Sequence, residues 1–179
     1  MQTESLMKQH SGMRPQDIVV LLKIIALGDS PWRIVDIATA LAISQSEVSE
    51  ALNRNMIAGL MDSSKRSVHR EALTEFLLHG LRYVFPEQPG STVRGIPTAH
   101  SAPPLSRRLV ATGESYVWPL PEGKTRGQSI RPLYPTVPKA AGSDPRLHEL
   151  LALVDAIRIG KARERNLAAE EIKKRMTLK

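Results

Sequence analysis

Asp36-Ile37-Ala38-Thr39-Ala40-Leu41-Ala42-Ile43-Ser44-Gln45-Ser46-Glu47-Val48-Ser49-Glu50-Ala51-Leu52-Asn53-Arg54 is the stretch on which the reading of this 179-residue chain turns. Ser44 followed three residues later by Glu47 is a capping box, in which a hydroxyl and a carboxylate satisfy the first free amides of a helix. Ser44 is therefore the expected N-cap. On the helical period Val48, Ala51 and Leu52 share one face, with Asn55 at its margin, while Gln45, Ser46, Ser49, Glu50 and Asn53 share the other. One face is made for a core and the other is left for solvent or a partner. Just upstream, Ile37, Ala38 and Leu41 supply the apolar contacts of a shorter helix from about Val35 to Leu41, leaving three residues between the two.

Outward from this pair, Pro15 is preorganised for a first helical turn, and Ile18, Leu21, Leu22 and Ile25 form the stripe of a helix that Gly28 ends after Leu27. Gly28-Asp29-Ser30-Pro31 reads as a turn, with a short extended piece at Trp32 and Arg33. On the other side, Asp62-Ser63-Ser64-Lys65-Arg66-Ser67-Val68 can make a tight hairpin. Arg70 then opens a helix to Val84, with an apolar stripe at Leu73, Phe76, Leu77, Leu81 and Val84.

The texture changes after Phe85. Eleven of the thirteen prolines fall between 86 and 145, and proline at that density removes ladder donors and argues against central strands. Val110, Tyr116, Trp118, Leu120 and Tyr134 nevertheless make the segment too apolar for a plain linker, so an irregular but ordered stretch wrapped over another surface is expected. Asp144-Pro145 then caps and starts a helix whose stripe is Leu147, Leu150, Leu151, Val154 and Ile157. Beyond an interruption at Gly160, Ala168, Ile172 and Met176 form a thinner seam, with Arg158, Lys161 and Arg165 on a basic face. The expected organisation is a mainly α protein in three parts, residues 1–84, 85–143 and 144–179.

Composition narrows the classes. Hydrophobic residues make up 41% and charged residues 24%, which suits a packed globular chain. Aromatics at 4% leave the core to aliphatic residues. The absence of cysteine excludes disulfides, thiolate zinc sites and a cysteine nucleophile. The start of the chain, Met1 to Gly12, is polar and has no apolar segment resembling a signal peptide. No run reaches the roughly 18 apolar residues that a membrane span needs, so a soluble, cytoplasmic protein is expected. The net charge is +7, with a pI near 10.0, which fits a polyanionic partner. The excess is uneven: residues 1–84 carry nine basic and nine acidic side chains, 85–145 seven and four, 146–179 nine and five. A neutral first half must rely on local clusters to meet a polyanion.

The order of helix, turn, helix, three-residue turn, capped helix, hairpin and helix, together with the letters from Asp36 to Arg54, resembles the winged helix-turn-helix of bacterial transcriptional regulators, the MarR type included. The resemblance runs from about Pro31 to Arg70. It implies that Ala38 permits close helix crossing, Ile43 plugs the turn, and Val48 and Leu52 anchor the recognition helix Gln45 to Arg54. It further implies that Gln45, Ser46, Ser49, Glu50 and Asn53 face the major groove of double-stranded DNA, that the helix start at Ser44 lies near a phosphate, and that Lys65 and Arg66 tip the wing, with Arg70 behind them. Two positions depart from the pattern. Ala42 stands where such turns usually have glycine, and Glu47 and Glu50 put acid where phosphates would favour a base.

The resemblance implies a sequence-specific regulator, most simply a homodimeric repressor that excludes polymerase sterically, with the C-terminal stripe as the self-association surface and the basic tail as an added phosphate contact. The rival is a protein-interaction or antitoxin-like adaptor of a gene pair, with a protein partner engaged through residues 86–145. No enzyme is expected, and no catalytic group, cofactor or metal. Gly90-Ser91-Thr92-Val93-Arg94-Gly95 has Ile96-Pro97 where a phosphate loop needs lysine and a hydroxyl, and reads as a turn. The histidines at 10, 69, 79, 100 and 148 lack ligand spacing.

Overall fold

The computed structural model describes residues 12–110 and 113–177; most of the polar start of the chain, with His10, lies outside them. The fold is mainly helical with one small sheet, and its elements follow from the caps. Helix α1 (Pro15–Leu27) begins with proline at its first position, and Asp17 reaches back to accept the Arg14 amide at 2.8 Å. Gly28 ends it at φ 62, a left-handed value that glycine takes without a Cβ penalty. In α2 (Ile34–Leu41) Asp36 does the same for the Arg33 amide. Helix α3 (Gln45–Ile57) is capped by Ser44, whose Oγ accepts the Glu47 amide at 3.1 Å. Only this half of the expected capping box forms, because the Glu47 carboxylate is engaged elsewhere.

A hairpin follows α3. Met61 bridges Val68 in antiparallel fashion, the Asp62 amide donates to the Ser67 carbonyl, and Asp62 Oδ1 accepts the amides of Arg66 and Ser67. The helix expected from Arg70 to Val84 is broken at Gly80 into α4 (Arg70–His79) and α5 (Leu81–Val84). Leu73, Leu77 and Leu81 are fully buried, whereas Val84, at the end of the expected stripe, is 51% exposed.

The proline-rich segment departs most from expectation. It contains three strands, β1 (Thr92–Pro97), β2 (Tyr116–Pro119) and β3 (Thr125–Ser129), each paired with both others, so that the sheet closes on itself. β1 runs antiparallel to β2 and β3, which are parallel to one another. Gly90 to Gly95 is accordingly no simple turn; most of it is strand. Closure this tight depends on glycine: a Cβ on Gly95 would lie 1.9 Å from the Trp118 carbonyl oxygen, and one on Gly127 would lie 2.3 Å from that of Ser115. Prolines 97 and 119 occupy strand ends, where a missing amide costs least. A short helix, α6 (Val137–Gly142), precedes α7 (Pro145–Ile159), and α8 (Ala162–Thr177) folds back on α7 after Gly160.

Two helices are enclosed by the rest. All ten residues from Asp17 to Ala26 of α1 are buried, as are Leu150 to Ile157 of α7, and the two helices pack on each other. One hydrophobic core runs through all three parts of the chain, from Ile18 through Trp118 to Met176. The stripe at Leu147, Leu150, Leu151 and Val154, expected to meet a second copy, is 1 to 3% exposed because the chain's own helices cover it. Two of the three cations expected on the basic tail are likewise engaged within the chain. Arg158 has only 5% side-chain exposure, pairs with Asp155 at 2.8 Å, and donates to the carbonyls of Phe85 and Arg131. Arg165 donates to the Gly160 carbonyl. Of the three expected tail cations, Lys161 alone is exposed.

Charges that enter this core are paired. Arg54 donates to both oxygens of fully buried Asp17, and Lys23 donates to Asp144 at 2.7 Å. Asp155, 2% exposed, accepts Thr98 Oγ1 and Trp118 Nε1 at 2.7 Å and so fastens the sheet to α7. Burial pushes the Asp155 carboxyl up from its ordinary range, against the pull of Arg158 and its other donors. Replacing Arg54 with methionine should lower the unfolding free energy by about 3 to 5 kcal/mol, since it strands the buried Asp17 carboxylate without a cation. Asp17→Leu/Arg54→Met should recover part of that deficit in urea titration, and equal stability of parent and single variant would contradict this role for the pair.

Candidate nucleic-acid interface

The α2–α3 pair is held as a unit by side chains that point away from solvent. Ile37, Leu41 and Val48 are fully buried, Ala51 and Leu52 are buried with them, and Ile43 fills the turn at 7% exposure. Ala42 takes φ 51, ψ 45, the left-handed conformation, and its amide donates to the Ala38 and Thr39 carbonyls. The position that the resemblance marks for glycine thus has glycine's geometry with alanine in it, at a conformational cost of about 1 kcal/mol or more.

Opposite that core, Ser44, Gln45, Ser46 and Ser49 are exposed, and Glu50 and Asn53 are half-buried. These six form a continuous polar surface over the first three turns of α3. The Ser44 oxygen is committed to the cap, but its hydroxyl proton remains a donor at the positive end of the helix dipole. Arg54 does not belong to this face. It is 6% exposed and turned toward α1, and Asp17 of α1 and Glu47 of α3 accept from it at 2.6 to 3.0 Å. Asn55 is also internal and donates to the Asp17 carbonyl.

This pairing accounts for the acid at position 47. Glu47 accepts from Arg54 at 2.6 Å and from Gln16 at 3.1 Å, with Arg14 at 3.9 Å. Burial pushes its carboxyl up, but the Arg54 and Gln16 hydrogen bonds outweigh that and hold it below its ordinary range. The hydrogen bonds that Arg54 donates to Asp17 are the largest influence on its guanidinium and raise its pKa further, so it stays charged. Asp17 and Glu47 thus share Arg54, and Arg14 completes the charge balance beside the helix start. Arg14, with half its side chain exposed, is brought next to the first turn of α3 by the same contact. No local pattern in the sequence singles out this cation, since only the fold brings the start of α1 to α3.

The hairpin places its cations unequally. Lys65 stands at the tip with φ 58. Arg66 sits over Trp32, its guanidinium carbon 4.1 Å from the ring centroid, and donates to the Trp32 carbonyl at 2.7 Å. It clasps the hairpin to the segment before α2 while remaining exposed beside half-buried Lys65. Arg70, at the start of α4, reaches the Met176 carbonyl of α8 at 3.5 Å and is drawn away from the hairpin. Two histidines have hydrogen-bond partners: His69 Nδ1 lies 2.9 Å from the Gly59 carbonyl and His148 Nε2 lies 2.8 Å from that of Pro97, whereas His100 packs edge-on against Tyr116 with its Nδ1 buried and unpaired.

Comparison with protein-family models, with curated proteins and with solved structures gives no significant match for this chain. Among the described residues, no helix is long and apolar enough to cross a membrane.

The strained turn yields a direct test. Ala42→Gly should raise the unfolding free energy by about 1 kcal/mol. For a chain of this size that corresponds to a rise of about 2 to 4 °C in melting temperature by calorimetry. A lower melting temperature would show that the turn is not held in the left-handed conformation.

Proposed function

We propose that this protein is a sequence-specific DNA-binding protein of the winged helix-turn-helix kind that regulates transcription, with α3 as the helix that enters the major groove. The observation that carries the reading is the polar face of exposed Gln45, Ser46 and Ser49 with half-buried Asn53, on a helix whose other face is locked into the core. A reader of base edges needs that combination: short and amide side chains that donate and accept, on a support that does not move. Asn53 and Gln45 are the residue types suited to bidentate contact with adenine, and Ser46 and Ser49 can donate to or accept from any base. Glu50 suits a cytosine amino group.

Positioning falls to the phosphate contacts around this face. Ser44 at the positive end of α3, Arg14 beside it and Lys65 at the hairpin tip are the groups available for the DNA backbone. The hairpin takes the place of the wing, with Arg66 stiffening its base through Trp32. Sequence-specific occupancy near a promoter would exclude polymerase sterically.

Selection from a pool of randomised duplexes should enrich a defined motif with the parent chain. Ser49→Ala/Asn53→Ala should weaken binding to that motif by about 1 to 3 kcal/mol for each base these side chains recognise, with an unchanged melting temperature because neither side chain enters the core. Failure of the parent to enrich any motif would contradict the reading.

A further inference from the structure

The cations of the proline-rich segment are not spread evenly over its surface. Of the seven basic residues between 85 and 145, Arg107, Arg108 and Arg131 are in ion pairs, with Glu149, with Glu170 and Glu171, and with Glu87. Three of the other four, Arg94, Lys124 and Arg126, lie on or next to the closed sheet, and all three are exposed. None of them has a carboxylate within salt-bridge distance among the described residues. Of the acids nearest in sequence, Glu87 is engaged by Arg131, and Glu114 and Glu122 make no ion pair with them.

The register makes this arrangement specific. Arg94 of β1 stands directly opposite Arg126 of β3, so two guanidinium groups leave the sheet side by side from Cβ atoms about 4.5 to 5.5 Å apart. Each is followed by a glycine, Gly95 or Gly127, whose inner side is closed by the backbone of β2 and the residue before it. The strands therefore cannot rotate to bring either arginine inside, and both are held outward on a rigid support. Like charges directly opposed across a ladder destabilise a sheet. An anion that accepts from both removes the repulsion, and phosphate oxygens match the guanidinium fork. Thr92, Thr125 and Gln128 add no opposing charge along the same two strands.

We propose that the outer face of the closed sheet, Arg94 and Arg126 with Lys124, is a second phosphate-binding surface that contacts the backbone of duplex DNA without reading sequence. It supplies the charge that the neutral first 84 residues lack, and it rests on the DNA reading above for the identity of its partner. Specificity then comes from α3 and a share of the affinity from the sheet.

The test is the salt dependence of binding to a fluorescent random-sequence duplex and to the selected motif, for the full chain and for Arg94→Gln/Arg126→Gln. Each phosphate neutralised contributes about −0.9 to the slope of log K against log salt, so removing two should flatten the slope by about 1.8 and shrink the affinity drop between 50 and 200 mM salt about tenfold. Preference for the motif over the random duplex should not change, and Arg94→Lys/Arg126→Lys should restore most of the slope. Ser49→Ala/Asn53→Ala should show the opposite pattern, with preference reduced and slope kept. A slope unchanged in the glutamine variant, while the α3 variant no longer prefers the motif, overturns this inference and leaves the α3 reading intact. A parent chain with no affinity for either duplex at 50 mM salt overturns both, and so does binding through these arginines to anionic phosphatidylserine vesicles in place of DNA.

Discussion

Burying a helix on every side means that any charge on it must find a partner in the interior, and α1 carries two. Asp17 is met by Arg54 and Lys23 by Asp144. A carboxylate or ammonium taken out of water without a partner costs several kcal/mol, so these pairs fix how α1 sits against α3 and against the start of α7. The Asp17–Arg54 contact also spans the length of α3, because Arg54 near its end holds Glu47 in its first turn. The helix proposed to meet DNA is thus positioned through one internal network.

That network shows why part of the site could be read in the sequence and part could not. The helical period from Val48 to Leu52 and the serine cap are local, and both the polar face of α3 and its core face follow from them. Arg54 lies on the same helix at a position that the period leaves ambiguous. What turns it inward is Asp17, 37 residues earlier, and no local pattern signals that pairing. Arg66 is similar: its place at the hairpin is expected and it is exposed there, but only the fold brings Trp32 beneath it.

The proline-rich segment was the least legible region for a physical reason. Proline removes ladder donors, so its density argued against strands; the sheet that forms is short, closed, and places prolines 97 and 119 at strand ends. Its three strands are sustained by glycines that allow backbones to touch and by Asp155, an acid on α7 that ties Trp118 and Thr98 to the helix. The C-terminal stripe is apolar as its period indicates, but α1 needs it. A helix with no polar face must be covered on all sides, and α7 supplies that cover from within the chain.

If α3 presents its polar face to the major groove while the core network holds it still, binding should leave a distinct pattern along the backbone. Nuclear magnetic resonance titration of the isotope-labelled chain with its selected duplex tests this most directly. Large amide shifts are expected at Gln45, Ser46, Ser49 and Asn53, lesser ones at Arg14 and Lys65, and negligible ones along the buried residues of α1 and α7. Shifts confined to α7 and α8, with the α3 amides unmoved, would contradict it.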